Sequence, residues 1–327
     1  MEGQDSPRLV TISSLKSQPA GAASPGPVGI VAEAPENTFG APPVPAGGDL
    51  LFAPNFPPPP PNTPPCSSTA VVSHGGAIGT ADPVQLVFWG AVWQTALAQL
   101  ASSFVTAVKA ILTGPYMSGV RQYGVKRCSF GGSLIITAPG PPLLPNTFTD
   151  GTIQGVIQSL IDQGTFPEPD EPGGRNLYVV LMPPNTQYQN PPGIIAAGAH
   201  SSFQSGSVID PDIAWVAWVG NNTLAGMTAV FSHEVVEMCT DPEGDSWFIN
   251  GAPLQCSEIG DTCTGRTSPL NGVNVNAYWS NFDNACLIPT AWSMRRTLAG
   301  AGIKLSGQGL RSFFGAIPSL NQFIVSL

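Results

Sequence analysis

Between residues 84 and 238 the chain alternates short apolar runs with longer segments of helical periodicity, and this alternation most constrains its fold. Residues 84–89 (Val-Gln-Leu-Val-Phe-Trp) are rich in β-branched and aromatic side chains and stop at Gly90, which predicts a buried strand. From residue 93 to residue 112 apolar side chains recur at helical spacing, and a Gly-Pro pair then ends the pattern. A strand followed by an amphipathic helix is the repeating unit of layered α/β folds.

The same two patterns recur further along the chain. Further strands are predicted at 133–137, 176–182 and 213–219. Further helices are predicted at 150–161, where Asp150 is a candidate cap, and at 223–238. After residue 240 the chain becomes rich in Gly, Asn, Asp and Cys, as in ordered loops held by disulfides. We therefore predict an α/β (mixed α+β) fold with one central sheet.

The two ends of the chain differ in composition from this middle part. Residues 1–65 contain Pro, Gly, Ala and Ser with little periodicity, and they offer too little apolar area to offset the entropy lost on ordering. We predict a disordered arm or propeptide over 1–65, a single catalytic domain over 66–290, and a C-terminal extension without an assigned role over 291–327.

Charge and cysteine content limit the compartment and the partners. Only 10% of the residues are charged and the net charge is −9, so the basic face that a nucleic acid needs is not expected. No apolar stretch has the length of a membrane span. The six cysteines, four of them between Cys239 and Cys286, predict two or three disulfides and a secreted protein. The N-terminus lacks the regions of a secretory signal, which counts against secretion.

The predicted helix at 223–238 carries the main chemical signal, the sequence His233-Glu-Val-Val-Glu237. Residues four apart project from the same face of a helix, so an imidazole and a carboxylate can bind one cation together. In the related HExxH pattern the glutamate after the first histidine acts as general base on a metal-activated water, and here this is Glu234. A glutamate in place of the second histidine is an acceptable zinc ligand, although its charge makes the metal a weaker electrophile.

A catalytic zinc ion takes three protein ligands, and Glu258 is the best candidate for the third. It lies between Cys256 and Cys263, so disulfides would hold its loop rigidly against the helix. Asp261 in the same loop is a candidate second-shell residue that would orient His233 through its other ring nitrogen. The alternative is a helix face without metal, with a hydrogen-bonded histidine and solvated glutamates. Burying three ionisable groups on an apolar helix is costly without a partner, which favours the metal site.

The other two histidines are weaker candidates. His200 lies in a Gly/Ser-rich segment, where it could be a ligand, a proton donor to the leaving group or a stabiliser of the transition state. The competing interpretation is a loop histidine that hydrogen-bonds to the backbone. His74 precedes the first predicted strand and fits a turn better than a site.

A family resemblance covers roughly residues 70–288. It is carried by the motifs Ser232-His-Glu-Val-Val-Glu237, Thr240-Asp-Pro242, Trp247, Glu258-Ile-Gly-Asp261-Thr-Cys263, Tyr278-Trp-Ser-Asn281 and Cys286. Together these resemble a group of microbial secreted HExxE zinc metallopeptidase-like proteins. More distantly, His74-Gly-Gly76, Val87-Phe-Trp-Gly90 and Tyr123-Gly124 resemble the plant phosphate-induced, or exordium-like, extracellular proteins. The resemblance implies a zincin-like domain with His233, Glu237 and Glu258 as ligands and Glu234 as base.

Two functional hypotheses follow. The first is a Zn²⁺-dependent hydrolase that acts on a peptide or protein substrate, with Glu234 as general base and His200 as a further catalytic residue. The second is a secreted binding or signalling module of exordium-like type that keeps a structural metal and has lost turnover. The sequence does not indicate the oligomeric state.

Overall fold

The fold is described from a computed structural model, which covers residues 7–10, 29–32, 71–80, 82–137, 147–171, 174–184, 186–189, 196–206, 211–220, 223–252 and 256–289. In chain order the strands within these residues are β1 (Arg8–Val10), β2 (Gly29–Ala32), β3 (Val72–Ser73), β4 (Asp82–Trp89), β5 (Cys128–Ile136), β6 (Thr147–Phe148), β7 (Asp170–Glu171), β8 (Gly174–Arg175), β9 (Leu177–Leu181), β10 (Gln187–Tyr188), β11 (Ala196–Gly206), β12 (Pro211–Val219), β13 (Trp247–Phe248), β14 (Thr267–Leu270), β15 (Val273–Asn276), β16 (Tyr278–Ser280) and β17 (Ala285–Leu287). The α-helices are α1 (Ala98–Thr113), α2 (Asp150–Asp162) and α3 (Leu224–Thr240). Short 3-10 helices span Ala91–Gln94, Tyr116–Tyr123 and Asp261–Cys263.

A seven-stranded sheet forms the centre of the fold, in the order β1-β5-β4-β9-β12-β11-β2. The five strands from β1 to β12 run parallel, whereas β11 and β2 are each antiparallel to their neighbours. Parallel strands need crossover connections, and α1 and α2 lie in two of these connections. The predicted mixed α/β architecture with a central sheet is confirmed.

Helices cover both faces of this sheet because the side chains of each strand alternate between them. Leu86 and Phe88 of β4 point into the core that contains α1 and α3. Their neighbours Val87 and Trp89 point into the second core, on the side of α2. The mainly apolar runs that predicted buried strands are therefore strands covered on both sides.

Helix α3 is the most buried helix of the described chain. Thr223 caps its first turn by accepting a hydrogen bond from the Gly226 N–H at 3.1 Å. All residues from Val230 to Thr240 are buried, because the helix lies between the sheet, α1 and the β14–β15 hairpin. Any charged side chain in this part of α3 must find its partners inside the protein.

Several predicted boundaries differ from the structure. The apolar pattern at 93–112 divides into the 3-10 helix Ala91–Gln94 and α1, which begins at Ala98. The cap of α2 is Thr149 rather than Asp150, because the Thr149 hydroxyl accepts the N–H of Thr152 and the Thr152 hydroxyl accepts the N–H of Thr149.

The Gly/Ser-rich segment around His200, predicted as a loop, is strand β11. It pairs with β12 over nine successive positions, from Gly198 opposite Val219 to Gly206 opposite Pro211. The small side chains of this strand weaken the period-2 signal in the sequence, and pairing with an apolar neighbour provides the stability that the sequence pattern lacks.

Two short pieces of the predicted arm belong to the central sheet. Residues Arg8–Val10 pair with β5 at one edge, and Gly29–Ala32 pair with β11 at the other. Each segment pairs with a strand that would otherwise be an edge of the sheet, and such edges accept further strands readily. Apart from residues 7–10 and 29–32, the predicted arm at 1–65 lies outside the described residues. The C-terminal extension at 291–327 lies outside the described residues.

Cysteine pairing is partly defined. Cys263 and Cys286 form a disulfide that joins the short 3-10 helix to β17, and Cys256 is also disulfide-bonded. Cys128 and Cys239 are buried free thiols. The prediction that disulfides hold the loops after α3 is confirmed for Cys263–Cys286. None of the helices within the described ranges is long and apolar enough to cross a membrane.

Candidate metal centre

Helix α3 brings His233, Glu234 and Glu237 into one buried cluster. All three side chains are 0% exposed. The Nε2 atom of His233 lies 3.0 Å from Oε2 of Glu237, one helical turn later, as the spacing of four predicts. Tyr116 and Asn276 fix this turn of the helix: the Tyr116 hydroxyl donates to the Ser232 carbonyl oxygen, and the Asn276 N–H donates to the Ser232 hydroxyl.

The loop after β13 adds two carboxyl groups. These belong to Glu258 and Asp261. Oδ1 of Asp261 lies 3.5 Å from Nε2 of His233, and the backbone N–H of Asp261 donates to Oε1 of Glu237 at 2.9 Å. The sequence predicts that Asp261 contacts the ring nitrogen of His233 that does not face the metal. In the structure Asp261 instead faces Nε2, the same nitrogen that faces Glu237. The side-chain amide of Asn276 lies 3.3 Å from that other nitrogen, Nδ1, and is the contact that the sequence did not indicate.

Strand β11 adds His200, which is 1% exposed. Its Nδ1 lies 3.3 Å from Oε2 of Glu234 and 3.7 Å from Oε2 of Glu237. Its Nε2 lies 3.5 Å from Oε1 of Glu258 and 3.4 Å from the Asp241 carbonyl oxygen. His200 is therefore part of the cluster and contacts three of its carboxyl groups, which the interpretation as a loop histidine did not foresee.

The structure thus brings together all six residues selected from the sequence: His200, His233, Glu234, Glu237, Glu258 and Asp261. Their ligand atoms form two groups that could hold a metal ion, one of His200, Glu237 and Glu258, the other of His233, Glu237 and Asp261. The expected combination of His233, Glu237 and Glu258 is divided between these two groups. His74 lies elsewhere, with its ring stacked on Phe248 at 3.8 Å between the centroids.

Two glycines allow the three chain segments to approach so closely. A Cβ atom at Gly260 would lie 2.6 Å from Oε1 of Glu237 and 3.0 Å from Nδ1 of His233. A Cβ atom at Gly198 would overlap the Val230 side chain and lie 2.9 Å from Oε1 of Glu234. Both positions therefore need a residue without a side chain, one on the loop and one on β11.

Several polar atoms of the cluster have no hydrogen-bond partner within the described part of the chain. They are Nε2 of His233, Oε1 of Glu234, Oε2 of Glu237 and both carboxyl oxygens of Glu258. Buried polar atoms are rarely left without a partner in folded proteins, because each costs free energy. Buried histidine and carboxylate atoms of this kind, close to one another and without hydrogen bonds, are the donors that a cation takes, so the residues fit a metal ion.

Without a cation the carboxyl groups compete for protons. Burial, with the charge of Glu237 next in size, raises the pKa of Asp261 to about 7. Burial also raises the pKa of Glu258 well above its usual range. The pKa of Glu237 is lowered: burial acts to raise it, but the charges of His233 and His200, together with hydrogen bonds from His233 and the Asp261 backbone, outweigh that effect. Burial acts to lower the pKa of both histidines, and the surrounding carboxylates raise them instead.

No family model, curated protein or solved structure matches this chain.

Proposed function

We propose that this protein is a metal-dependent hydrolase, most simply a zinc peptidase with a zincin-like arrangement of active-site helix and sheet. The observation that carries the proposal is the convergence of two imidazoles and four carboxyl groups, with several ligand atoms left without hydrogen bonds. A mixed histidine and carboxylate donor set suits zinc. Bound zinc would polarise a carbonyl oxygen and make a water molecule acidic enough to attack it.

Glu234 is the general base in this proposal. Its Oε2 contacts His200 Nδ1 at 3.3 Å, while its Oε1 accepts no hydrogen bond from the described residues. Burial raises the pKa of Glu234, which brings it closer to the neutral range in which a base can accept and return a proton. The imidazole of His200 lies between Glu234 and Glu258, where it can hold a proton for the leaving group.

The peptide substrate and the extracellular location belong to the same proposal. Few charged residues and a net charge of −9 suit an uncharged polymer segment better than a nucleic acid. The Cys263–Cys286 disulfide supports an oxidising compartment.

A binding module with a structural metal is the second candidate, and one observation favours it. All six residues of the cluster are at most 1% exposed, whereas a catalytic site must admit its substrate. Structural zinc sites are closed in this way, and catalytic sites keep one position open.

If residues 1–65 are a propeptide, their release would explain how substrate could reach a cluster that is buried in the full chain. Strand β2 pairs with β11 directly at the site, with Gly29 opposite His200. Displacement or cleavage of the arm would free the edge of β11 beside the cluster.

The test is metal analysis of the purified full chain together with a peptidase assay on Glu234→Gln. We expect zinc in the wild type, and a variant that keeps the metal but loses cleavage. Glu243→Gln is the matched control, because Glu243 bonds to Arg175 and Trp215 outside the cluster. Metal without cleavage in either protein would favour the structural module, and a wild type that binds no metal would overturn both.

Removal of residues 1–65 tests the arm separately. If the arm is a propeptide, the truncated chain cleaves peptides faster than the full chain at equal metal content. Equal rates would leave the arm without an inhibitory role.

A further inference from the structure

We propose, on the basis of the metal-dependent function above, that the cluster holds two divalent cations that share the carboxylate of Glu237. The two groups of candidate ligands overlap in this one residue. Each group adds one histidine and one further carboxylate: His200 with Glu258, and His233 with Asp261. Within each group the ligand atoms lie within 4.8 Å of one another, close enough to surround a single ion.

One oxygen atom of Glu237 faces both groups. Its Oε2 lies 3.0 Å from Nε2 of His233 and 3.7 Å from Nδ1 of His200, and it accepts no hydrogen bond from the described residues. Its Oε1 is already bound by the backbone N–H of Asp261, which fixes the orientation of the carboxylate. Glu237 is thus held with one oxygen between the two histidines, as a bridging ligand requires.

Charge balance also favours two ions over one. The cluster contains four carboxyl groups, from Glu234, Glu237, Glu258 and Asp261, and all are buried. If the imidazoles are neutral ligands, one divalent cation neutralises only two of these carboxylates. Unpaired charge is costly at such low exposure, and a second divalent cation removes it.

The test is metal stoichiometry of the full chain after chelation and reloading with Zn²⁺. We expect about two zinc ions per chain, and about one in each of the variants Glu258→Gln and Asp261→Asn, since each removes a ligand from one group only. Asp245→Asn, an exposed carboxyl outside the cluster, should keep both. Loading the unaltered protein with Mn²⁺ gives a second measurement that needs no variant, because two ions sharing a carboxylate give an exchange-coupled electron spin resonance spectrum.

The outcomes separate this inference from the function on which it rests. One ion per wild-type chain, with an uncoupled Mn²⁺ spectrum, would overturn the two-ion centre and leave the hydrolase proposal intact. No bound ion at all would overturn both. Two ions that persist in both variants would place the second ion outside this cluster and also overturn the shared centre.

Outside this cluster, two thiols contact each other where α3 meets the sheet. We infer that Cys128 and Cys239 form a disulfide in the mature protein. Their sulfur atoms lie 2.9 Å apart, and the residues are 6% and 0% exposed. The chain already has oxidised cysteines, in the Cys263–Cys286 bond and at Cys256, so conditions that oxidise one pair are available to the other.

The alternative to a disulfide is that the two thiols bind one metal ion together with Asp82, which lies close to both. Two sulfurs on one tetrahedral zinc, at about 2.3 Å each, would be roughly 3.8 Å apart. The observed 2.9 Å is about 0.9 Å shorter than that arrangement requires, so the two sulfur atoms would have to move apart to share an ion.

A Cys128–Cys239 disulfide would link helix α3 covalently to the central sheet. Cys239 lies two residues after Glu237 in the last part of α3, and Cys128 is the first residue of β5. The reaction needs an oxidant, and a low-molecular-weight disulfide such as oxidised glutathione is sufficient while the chain folds, before the two thiols are buried. The two thiols lose two protons and two electrons, the new sulfur–sulfur bond forms through a mixed disulfide, and the oxidant leaves as two thiols.

Peptide mapping of the full chain tests the bond. After refolding of the reduced full chain with oxidised glutathione, then unfolding without reductant and alkylation, we expect a linked peptide pair containing Cys128 and Cys239 and no label on either. In Cys128→Ala, Cys239 should become fully labelled. The double variant Cys128→Ala/Cys239→Ala should melt about 10 °C lower than the oxidised wild type. Full labelling of both thiols in the treated wild type would overturn the inference, as would zinc bound through them.

Discussion

Single residues without side chains determine how closely the cluster can be assembled. Gly260 adopts φ −75°, a conformation open to any residue, so its need for glycine is steric and not conformational. The space that a Cβ atom would take is occupied by the Glu237 carboxylate and the His233 ring. The loop that carries Glu258 and Asp261 can approach α3 only because this position has no side chain.

We predict that Gly260→Ala will weaken zinc binding by about tenfold or more and destabilise the fold by about 1–3 kcal/mol, because Glu237 and His233 must shift. The measurements are zinc titration and denaturant unfolding. Gly151→Ala is the matched control: its new Cβ meets nothing closer than 3.7 Å, so stability should be unchanged or slightly higher. Equal zinc affinity in Gly260→Ala and wild type would contradict the packing described for this loop.

At the scale of elements, helix starts and strand pairs hold the layers together. Helix α2 begins with the reciprocal bonds of Thr149 and Thr152. Its first residue, Asp150, accepts a 2.7 Å hydrogen bond from the Tyr188 hydroxyl in β10, so the helix is joined to the short β6–β10 pair. Burial raises the pKa of Asp150, although the bond from Tyr188 opposes the rise.

This shift predicts a pH dependence of stability. A carboxyl group with a raised folded-state pKa binds its proton more tightly in the folded chain, so its contribution to stability falls as pH rises. We therefore expect the stability of Asp150→Asn, relative to wild type, to increase between about pH 4 and pH 7. Tyr188→Phe should make the pH dependence of the Asp150 protein steeper, because the opposing hydrogen bond is lost. The measurement is the melting temperature of each protein across this pH range. Parallel curves for wild type and Asp150→Asn would contradict a raised pKa of Asp150.

At the scale of the whole molecule, the cluster joins three parts of the chain that are distant in sequence. His200 belongs to β11, His233 to α3, and Glu258 to the loop before the Asp261–Cys263 helix. A bound cation would connect these parts, and its removal would leave buried carboxylates that repel one another.

We predict that chelation will lower the melting temperature of the full chain by about 10 °C, as expected for a ligand at roughly a thousand times its dissociation constant. Zinc should restore the original value. The comparison protein is Glu237→Gln, which should melt near the chelated wild type and respond little to zinc, because it lacks the carboxylate shared by both ligand groups. A melting temperature that chelation does not change would show that the fold does not depend on a bound metal.

Much of the fold could be predicted because its signals are local. The apolar run at β4, the helical periods of α1 and α2, and the i, i+4 pair of His233 and Glu237 each depend on residues within one or two turns. Strand β11 was missed because its small side chains give no clear alternation, and its stability comes from β12.

The sequence by itself determined the mixed α/β architecture, the apolar helix α3 and five residues from which a metal centre could be built, namely His233, Glu234, Glu237, Glu258 and Asp261. Only the tertiary structure decided that His200 joins them, that Asp261 faces the same nitrogen of His233 as Glu237, and that Glu258 belongs with His200. The reason is physical: helical spacing fixes which side chains share one face of a helix, whereas the approach of β11 and of the Gly260 loop depends on packing between segments far apart in the chain.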